Sequence, residues 1–494
     1  MRNSSTIGIA VAGILAASAA GTASANSYTL YVTGASAQRT FWESDLGFLC
    51  NGVRATPATK WTVIPSPDPG GTGIAVSYPD IEAVQCLVTT SAQIPGATVV
   101  TAGDTITMQY AAELGSVWGI APFLTSTNAF TSGRHFLDIT NPNVCPPAGG
   151  ACTVTGYSRQ TDLSSTGLAA AVTPDLGATD AEPSLWVGGD DWPLTAGVGN
   201  SYPILANAST NKQPTPQEIL AFAALPAQTR VNQQVLSVIV NTAAPTGSLT
   251  SLSKASITSI LTGKFTNWGG VPEIGNSAIT VPIVVCRRDH GSGTEVTASV
   301  TFTGAQCGPG AQPIVRQRNG NVTPSLGKLA SANVIENATT NELVACVTSK
   351  VGAIGIRSLS FSSSYVTLAI DGVEANAHNA ANARYPYAYD AWVYTGSPTL
   401  TGAKLDVANA LITDAQTASA LAHEGGTFTA SLFLWTVSGN SNGAKAAAAG
   451  QYEPGGSAAP SLGADWGNPS GAPEALYNQG GNSCAPKYDQ FTLP

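Results

Sequence analysis

Val281-Pro282-Ile283-Val284-Val285-Cys286-Arg287-Arg288-Asp289-His290-Gly291-Ser292-Gly293-Thr294 is the stretch on which the reading of this 494-residue chain turns. It opens as a short apolar run, the mark of a strand buried on both faces. It then passes through Gly-Ser-Gly-Thr into a segment able to form a helix. Such a strand–turn–helix joint can seat an anion, because the first backbone N–H groups of the helix are uncommitted and its dipole end is positive. Ser292 and Thr294 add hydroxyls, Gly293 lets backbone approach closely, and Arg288 adds a planar cationic fork. The plainer reading is a structural joint with a surface arginine.

Comparable joints lie upstream. Tyr28–Val32 reads as a strand, and Thr33-Gly34-Ala35-Ser36-Ala37-Gln38-Arg39 turns into a helix carrying Phe41, Trp42, Leu46 and Leu49. Thr105–Tyr110 reads as a strand that leads through Leu114-Gly115-Ser116 toward a helix starting at Ser116. Gly177-Ala178-Thr179-Asp180-Ala181-Glu182-Pro183 sets a carboxylate in a short turn; an N-cap aspartate is the ordinary explanation. Downstream, Thr215-Pro216-Gln217-Glu218 and Thr339-Thr340-Asn341-Glu342 are capping boxes, and Ser253–Leu261 reads as a helix stopped by Gly263. Val235–Val240, Val351–Ile356 and Tyr365–Ile370 read as strands, and Ala403–Ala410 as helix. Strands alternate with helices, which gives an α/β class with mainly parallel sheets. Ligands in such folds sit beyond the carboxyl ends of strands, where several joints converge into a cleft.

Two segments interrupt the alternation. Residues 51–105 are rich in Pro and Gly and read as short strands and loops; residues 135–165 contain Cys145 and Cys152. Gly188-Gly189-Asp190-Asp191 lacks the spacing of a calcium loop. From about 438 the chain is a tail rich in Gly, Pro, Ser and Ala.

Residues 1–25 read as a cleaved secretory signal peptide: Arg2, the apolar run Ile7–Ala20, then Ala23-Ser24-Ala25. No cysteine at the cleavage point offers a lipid anchor, and no second apolar run suits a membrane span. The expected protein is exported, periplasmic or extracellular. Eight cysteines suit that compartment. Cys145 with Cys152, and Cys50 with Cys86, are the candidate disulfides; Cys286, Cys307, Cys346 and Cys484 then allow 3 pairings. The four histidines, His135, His290, His378 and His423, are scattered, and no metal site or cofactor is expected. The formal net charge is −9, and loss of Arg2 with the leader makes it −10. An acidic surface argues against nucleic acid, while a buried anion site answers to its local donors.

Together these stretches resemble the phosphate-binding proteins of the type II periplasmic binding family, the receptors of phosphate ABC importers. Thr33-Gly34-Ala35-Ser36-Ala37 resembles the family's opening T-G-A-G-A turn, Gly115-Ser116 its second loop, and Gly177-Ala178-Thr179-Asp180-Ala181 its G-A-S-D-A loop. Leu261–Trp268 is similar to its G-K-I-T-N-W segment, Arg288–Thr294 to its R-x-D-G-S-G-T loop, and Gly352-Ala353-Ile354-Gly355 to its G-A-I-G-Y strand. The resemblance spans roughly 28–435. It implies two lobes around a ligand cleft: 26–240 as the first part of lobe one, 241–371 as lobe two, 372–437 returning to lobe one, and 438–494 as the tail, with crossings near Asn241 and Asp371. It implies a non-enzymatic receptor for inorganic phosphate or a related oxyanion, with an importer permease as partner. The implied ligand set is Ser116, Asp180, Arg288, Ser292, Gly293 and Thr294, completed by Ala37, Gln38 and Arg39 of the first turn. Asp180 would select hydrogen phosphate, which carries a proton to donate, over sulfate, which does not. Two positions depart from the family pattern: Gln38-Arg39 replaces a hydroxyl followed by an aromatic, and His290 replaces the acidic partner of the loop arginine.

Other readings remain beside this one. An exported surface, structural or adhesive protein could keep the fold without the ligand, as the insertions, tail and departures allow. A phosphatase would want a metal pair or an activated nucleophile, and no motif for either is present.

Overall fold

The computed structural model describes residues 25–67, 75–77, 80–90, 99–112, 115–124, 134–155, 166–186, 216–288, 291–304, 314–317, 330–331, 333–337, 339–359, 362–376, 379–380, 384–415, 433–435, 477–478 and 488–489. Residues 1–24 of the expected leader, Asp289, His290, Cys307, Cys484, 188–191 and most of the tail lie outside these.

The first part of the chain forms β1 (Ser27–Gly34), α1 (Arg39–Asn51), β2 (Thr59–Val63), β3 (Ile81–Leu87), β4 (Thr105–Ala111), β5 (Gly150–Cys152) and β6 (Leu176–Thr179). Next come α2 (Pro216–Ala223), β7 (Gln228–Asn241), α3 (Lys254–Leu261), β8 (Val284–Arg288), α4 (Gly293–Ala298), β9 (Val334–Asn337) and α5 (Thr340–Ser349). The chain then adds β10 (Ala353–Ser358), β11 (Tyr365–Ile370), β12 (Ala388–Tyr394) and α6 (Ala403–Ala415). Local chemistry explains two of the helix starts. Ser253 caps α3 through the N–H of Ser256, and Thr339 with Glu342 forms a complete capping box on α5.

The strands follow the order β9-β8-β10-β7-β12-β6-β1-β4-β3-β2-β5. β8 lies parallel between β9 and β10, and β1 lies parallel between β4 and β6. These parallel triplets are the hearts of two lobes: the molecule has the α/β class the alternation indicates and the two lobes the resemblance implies. Antiparallel pairing appears where the chain crosses, since β7 runs against β10, β11 and β12. β7 has 14 residues, a reach of about 46 Å at the usual rise, so one strand serves both lobes.

Two apolar cores flank that crossing. One joins Leu30, Val32, Phe41, Trp42, Leu46, Ile106, Met108, Val407 and Leu411. The other joins Leu236, Val238, Val240, Ile257, Ile260, Val285, Ile354, Ile356, Leu368, Tyr385 and Tyr387. Val231 and Ala391 belong to the first core, Val235 and Tyr389 to the second. Each strand therefore passes from one core to the other, within Val231–Val235 on β7 and Tyr389–Ala391 on β12. Asn241 and Asp371, near which crossings are expected, make local hydrogen bonds. Asn241 Nδ2 donates to the carbonyls of Val347 and Thr348, and Asp371 accepts from Lys254 N.

The two interruptions pack together. Trp61, Val63, Ile81 and Ala83 share a small core with Phe136, Leu137, Cys145 and Cys152. The segment read as short strands and loops supplies β2 and β3, which extend the sheet beyond β4: β3 runs antiparallel to β4, and β2 antiparallel to β3. The Cys50–Cys86 and Cys145–Cys152 disulfides are present, and Cys286 pairs with Cys346.

Beneath the first turn, the fully buried Asp175 fastens α6 to the strands. Its carboxylate accepts from Tyr31 N at 2.9 Å, Thr399 Oγ1 at 2.7 Å and Lys404 Nζ at 2.9 Å. Replacing Asp175 by Ala strands three donors at once. It is expected to cost about 3 kcal/mol, read from the denaturant midpoint at constant slope.

Candidate anion site at the lobe seam

Small residues let three chain segments converge at the ends of β1, β6 and β8. Gly34 has φ +131°, and a Cβ there would lie 1.8 Å from the carbonyl oxygen of Ala178, closer than any side chain can tolerate. Ala35 N donates to that same oxygen at 2.9 Å, and Tyr110 Oη donates to Ala35 O at 2.7 Å. Gly115–Gly119 is one five-residue 3-10 turn, where a longer helix from Ser116 is expected from sequence. It lies against the β8–α4 joint: Val117 N donates to Gly291 O at 2.9 Å.

At the centre Ser116 Oγ donates to Asp180 Oδ1, and Asp180 N donates back to Ser116 Oγ at 3.3 Å. Both residues press on Gly293, where an added Cβ would meet Asp180 Oδ1 at 1.6 Å and Ser116 Oγ at 2.5 Å. Burial pushes the Asp180 carboxyl above its ordinary pKa, while the Ser116 hydrogen bond and the Arg288 charge oppose that rise. Among the described residues no hydrogen bond reaches Asp180 Oδ2. Ser292 is the N-cap of α4, and its hydroxyl makes no capping bond. Thr294 is buried, and its carbonyl accepts from Tyr387 Oη at 2.9 Å.

Strand geometry sorts the two arginines of β8. Successive side chains point to opposite faces. Arg287 turns inward, donating to the carbonyls of Ile314 and Val315 and pairing with Glu295 at 2.7 Å. Arg288 emerges on the other face, feels Asp180 electrostatically, and donates from Nη1 to Thr340 Oγ1 at 2.9 Å.

Ala37, Gln38 and Arg39, also expected at the site, lie on or just after the first turn. Ala37 is half-buried on the 3-10 turn Ser36–Gln38. Gln38 is buried, and among the described residues neither end of its carboxamide is hydrogen-bonded. Arg39, expected to offer a second guanidinium to the ligand, is held by Asp80 and by Glu82 at 3.2 Å. Burial works against its charge, and Asp80, Glu82 and Glu43 more than offset that, so its pKa is raised. Glu82 also pairs with Lys60, which reaches Glu43 at 2.9 Å. No sequence signal points to this network, because its members come from α1, β2 and the start of β3. The structure thus gathers Ser116, Asp180, Ser292, Gly293, Thr294 and Arg288 at one seam and draws Arg39 toward its own carboxylates. Among the described residues, no group of three or more His, Cys, Asp or Glu is arranged to hold a metal ion.

Comparison with known proteins gives likenesses to solved structures. A phosphate-binding protein from Stenotrophomonas maltophilia matches at 14% identity and TM-score 0.33, covering 56% of this chain and 79% of its own. An ABC-type phosphate transport receptor from Vibrio cholerae matches at 16% identity and TM-score 0.27, covering 38% and 68%. No family model matches the chain, and no curated protein does. No helix among the described residues is long and apolar enough to cross a membrane.

The network around Arg39 has a pH signature. Burial and the neighbouring Glu82 push Glu43 up from 4.5 to about 7, against the pull of Lys60. A carboxyl raised in the folded state binds more protons folded than unfolded across that interval. Its contribution to stability is therefore full below pH 4.5 and is lost as pH rises through 7. Between pH 5 and 8 the wild type should lose more unfolding free energy than Glu43→Gln, by on the order of 2 kcal/mol. Denaturant titrations at each pH measure this, and the difference cancels the same-signed contributions of Asp45 and Asp180.

Proposed function

We propose that this protein is an exported solute-binding protein that captures inorganic phosphate, or a closely related protonated oxyanion, at the seam between its lobes. The observation that carries this reading is the buried Asp180. One of its oxygens is taken by Ser116 and the other is left for an incoming donor, beside the cationic Arg288. A buried carboxylate next to an anion is repulsive unless the two share a proton, and hydrogen phosphate brings one. Sulfate brings none at neutral pH, so it leaves an acceptor facing an acceptor. Arg288 balances charge, the hydroxyls of Ser292 and Thr294 supply further donors, and Gly293 admits backbone to the ligand. Gln38 can add an amide donor; Arg39 is left out of the set. Nothing in this arrangement calls for bond making or breaking, and the reading is of a receptor. Uptake through an importer permease is the role the family resemblance implies.

Closure would turn on the two chain crossings, and we propose that these lie at Val231–Val235 and Tyr389–Ala391, where each strand passes from one core to the other.

Calorimetric competition tests the site. Arg288→Ala is expected to lower phosphate affinity by at least about 100-fold, the scale of a buried charge-assisted contact. Asp180→Asn is expected to keep the fold and to erode the preference for phosphate over sulfate. In the wild type that preference should also weaken as pH falls, because Asp180 then carries its own proton. Unchanged phosphate affinity in Arg288→Ala overturns the assignment.

A further inference from the structure

We infer that Thr340 is a positioning residue for Arg288, and that the Cys286–Cys346 disulfide holds it to that task. The inference rests on the reading of Arg288 as an anion-binding side chain. Arg288 ends β8, and an arginine at a strand end has several torsions to restrain before it can meet a ligand in one geometry. Its Nη1 donates to Thr340 Oγ1 at 2.9 Å. Thr340 is the first residue of α5, so its hydroxyl is only as well placed as the helix start.

That start is fixed in three ways. Thr339 Oγ1 accepts from Glu342 N, and Glu342 Oε2 accepts from Thr339 N, each at 3.2 Å. Asn337, the register partner of Arg288 on β9, donates from Nδ2 to Arg287 O at 3.0 Å. This ties the chain just before the helix to the backbone of β8. Finally, Cys286 bonds to Cys346, with Cα atoms 6.0 Å apart. Cys286 stands two residues before Arg288 and so shares its face of the strand. One face of β8 is thus joined to α5 covalently at one point and by the Arg288–Thr340 hydrogen bond at another. The disulfide fixes where the helix starts, the helix start fixes the hydroxyl, and the hydroxyl fixes the guanidinium. This would make anion affinity sensitive to a covalent bond that does not touch the anion.

Titration of inorganic phosphate into wild type, Thr340→Val, Thr340→Ser, Arg288→Ala and the double variant Cys286→Ala/Cys346→Ala tests this, with thermal unfolding of each in parallel. Thr340→Val should bind about tenfold more weakly at an unchanged melting temperature, the weight of one hydrogen bond to a charged group. Thr340→Ser restores the hydroxyl and should restore affinity, which a purely structural role for this residue would not predict. The double cysteine variant should weaken binding to a similar degree. If that variant fails to fold, the Val and Ser pair decides alone. Equal affinity in Thr340→Val and wild type, with Arg288→Ala inactive, overturns the brace. Full affinity in Arg288→Ala overturns the site itself.

Discussion

The contact among Asp180, Ser116 and Gly293 is the constraint on which the rest of the molecule depends. A carboxylate buried at the meeting of two lobes is costly, and its cost is offset only by groups brought from elsewhere in the chain. Ser116 comes from a short turn after β4, Arg288 from the end of β8, and Gly293 from the start of α4. Each must arrive within a few tenths of an ångström. The side-chain-free glycines at 34, 119, 177 and 293 make that approach feasible, since a Cβ at any of them would overlap another segment. The cores behind them make it rigid. α1 and α6 pack behind β1 on one side, and α3 packs with β8 and β10 on the other.

Charge is compartmented around this point. Arg287 and Arg288 are neighbours in sequence, yet one is sealed against Glu295 and the carbonyls of Ile314 and Val315 while the other faces the seam. Arg39, one residue beyond the buried carboxamide of Gln38, is turned toward Asp80 and Glu82. The result is a seam in which Arg288 is set against Asp180, the balance on which the proposed phosphate reading rests. A second guanidinium free at the same place would favour a more highly charged anion and weaken the part played by Asp180.

Much of this was legible in the chain, and the illegible parts have identifiable causes. The joints at Gly34, Gly115 and Gly291 announce themselves because small residues between an apolar run and a helical segment have few other uses. The Ser253 cap of α3 and the capping box of α5 are local chemistry, and local chemistry reads well. β7 is readable only from Val235, because the polar Asn232, Gln233 and Gln234 carry no apolar pattern although they lie fully buried in the strand. The partners of Arg39 are 41 and 43 residues away in a Pro- and Gly-rich segment, and no periodicity links them. Thr340 was visible as part of a capping box, but nothing in the sequence sets it against an arginine 52 residues earlier. Pairing across distant segments is a tertiary fact, and a single sequence carries it only where a motif spans the gap.

Isothermal titration of phosphate into the ligand-stripped mature protein at neutral pH, with sulfate as the control, tests the central claim most directly. The account predicts saturable heat from phosphate at one site per chain and none from sulfate. Equal heats from both would contradict the role given to Asp180. No heat from either would contradict the receptor reading and leave a two-lobed fold that serves an exported surface or structural role.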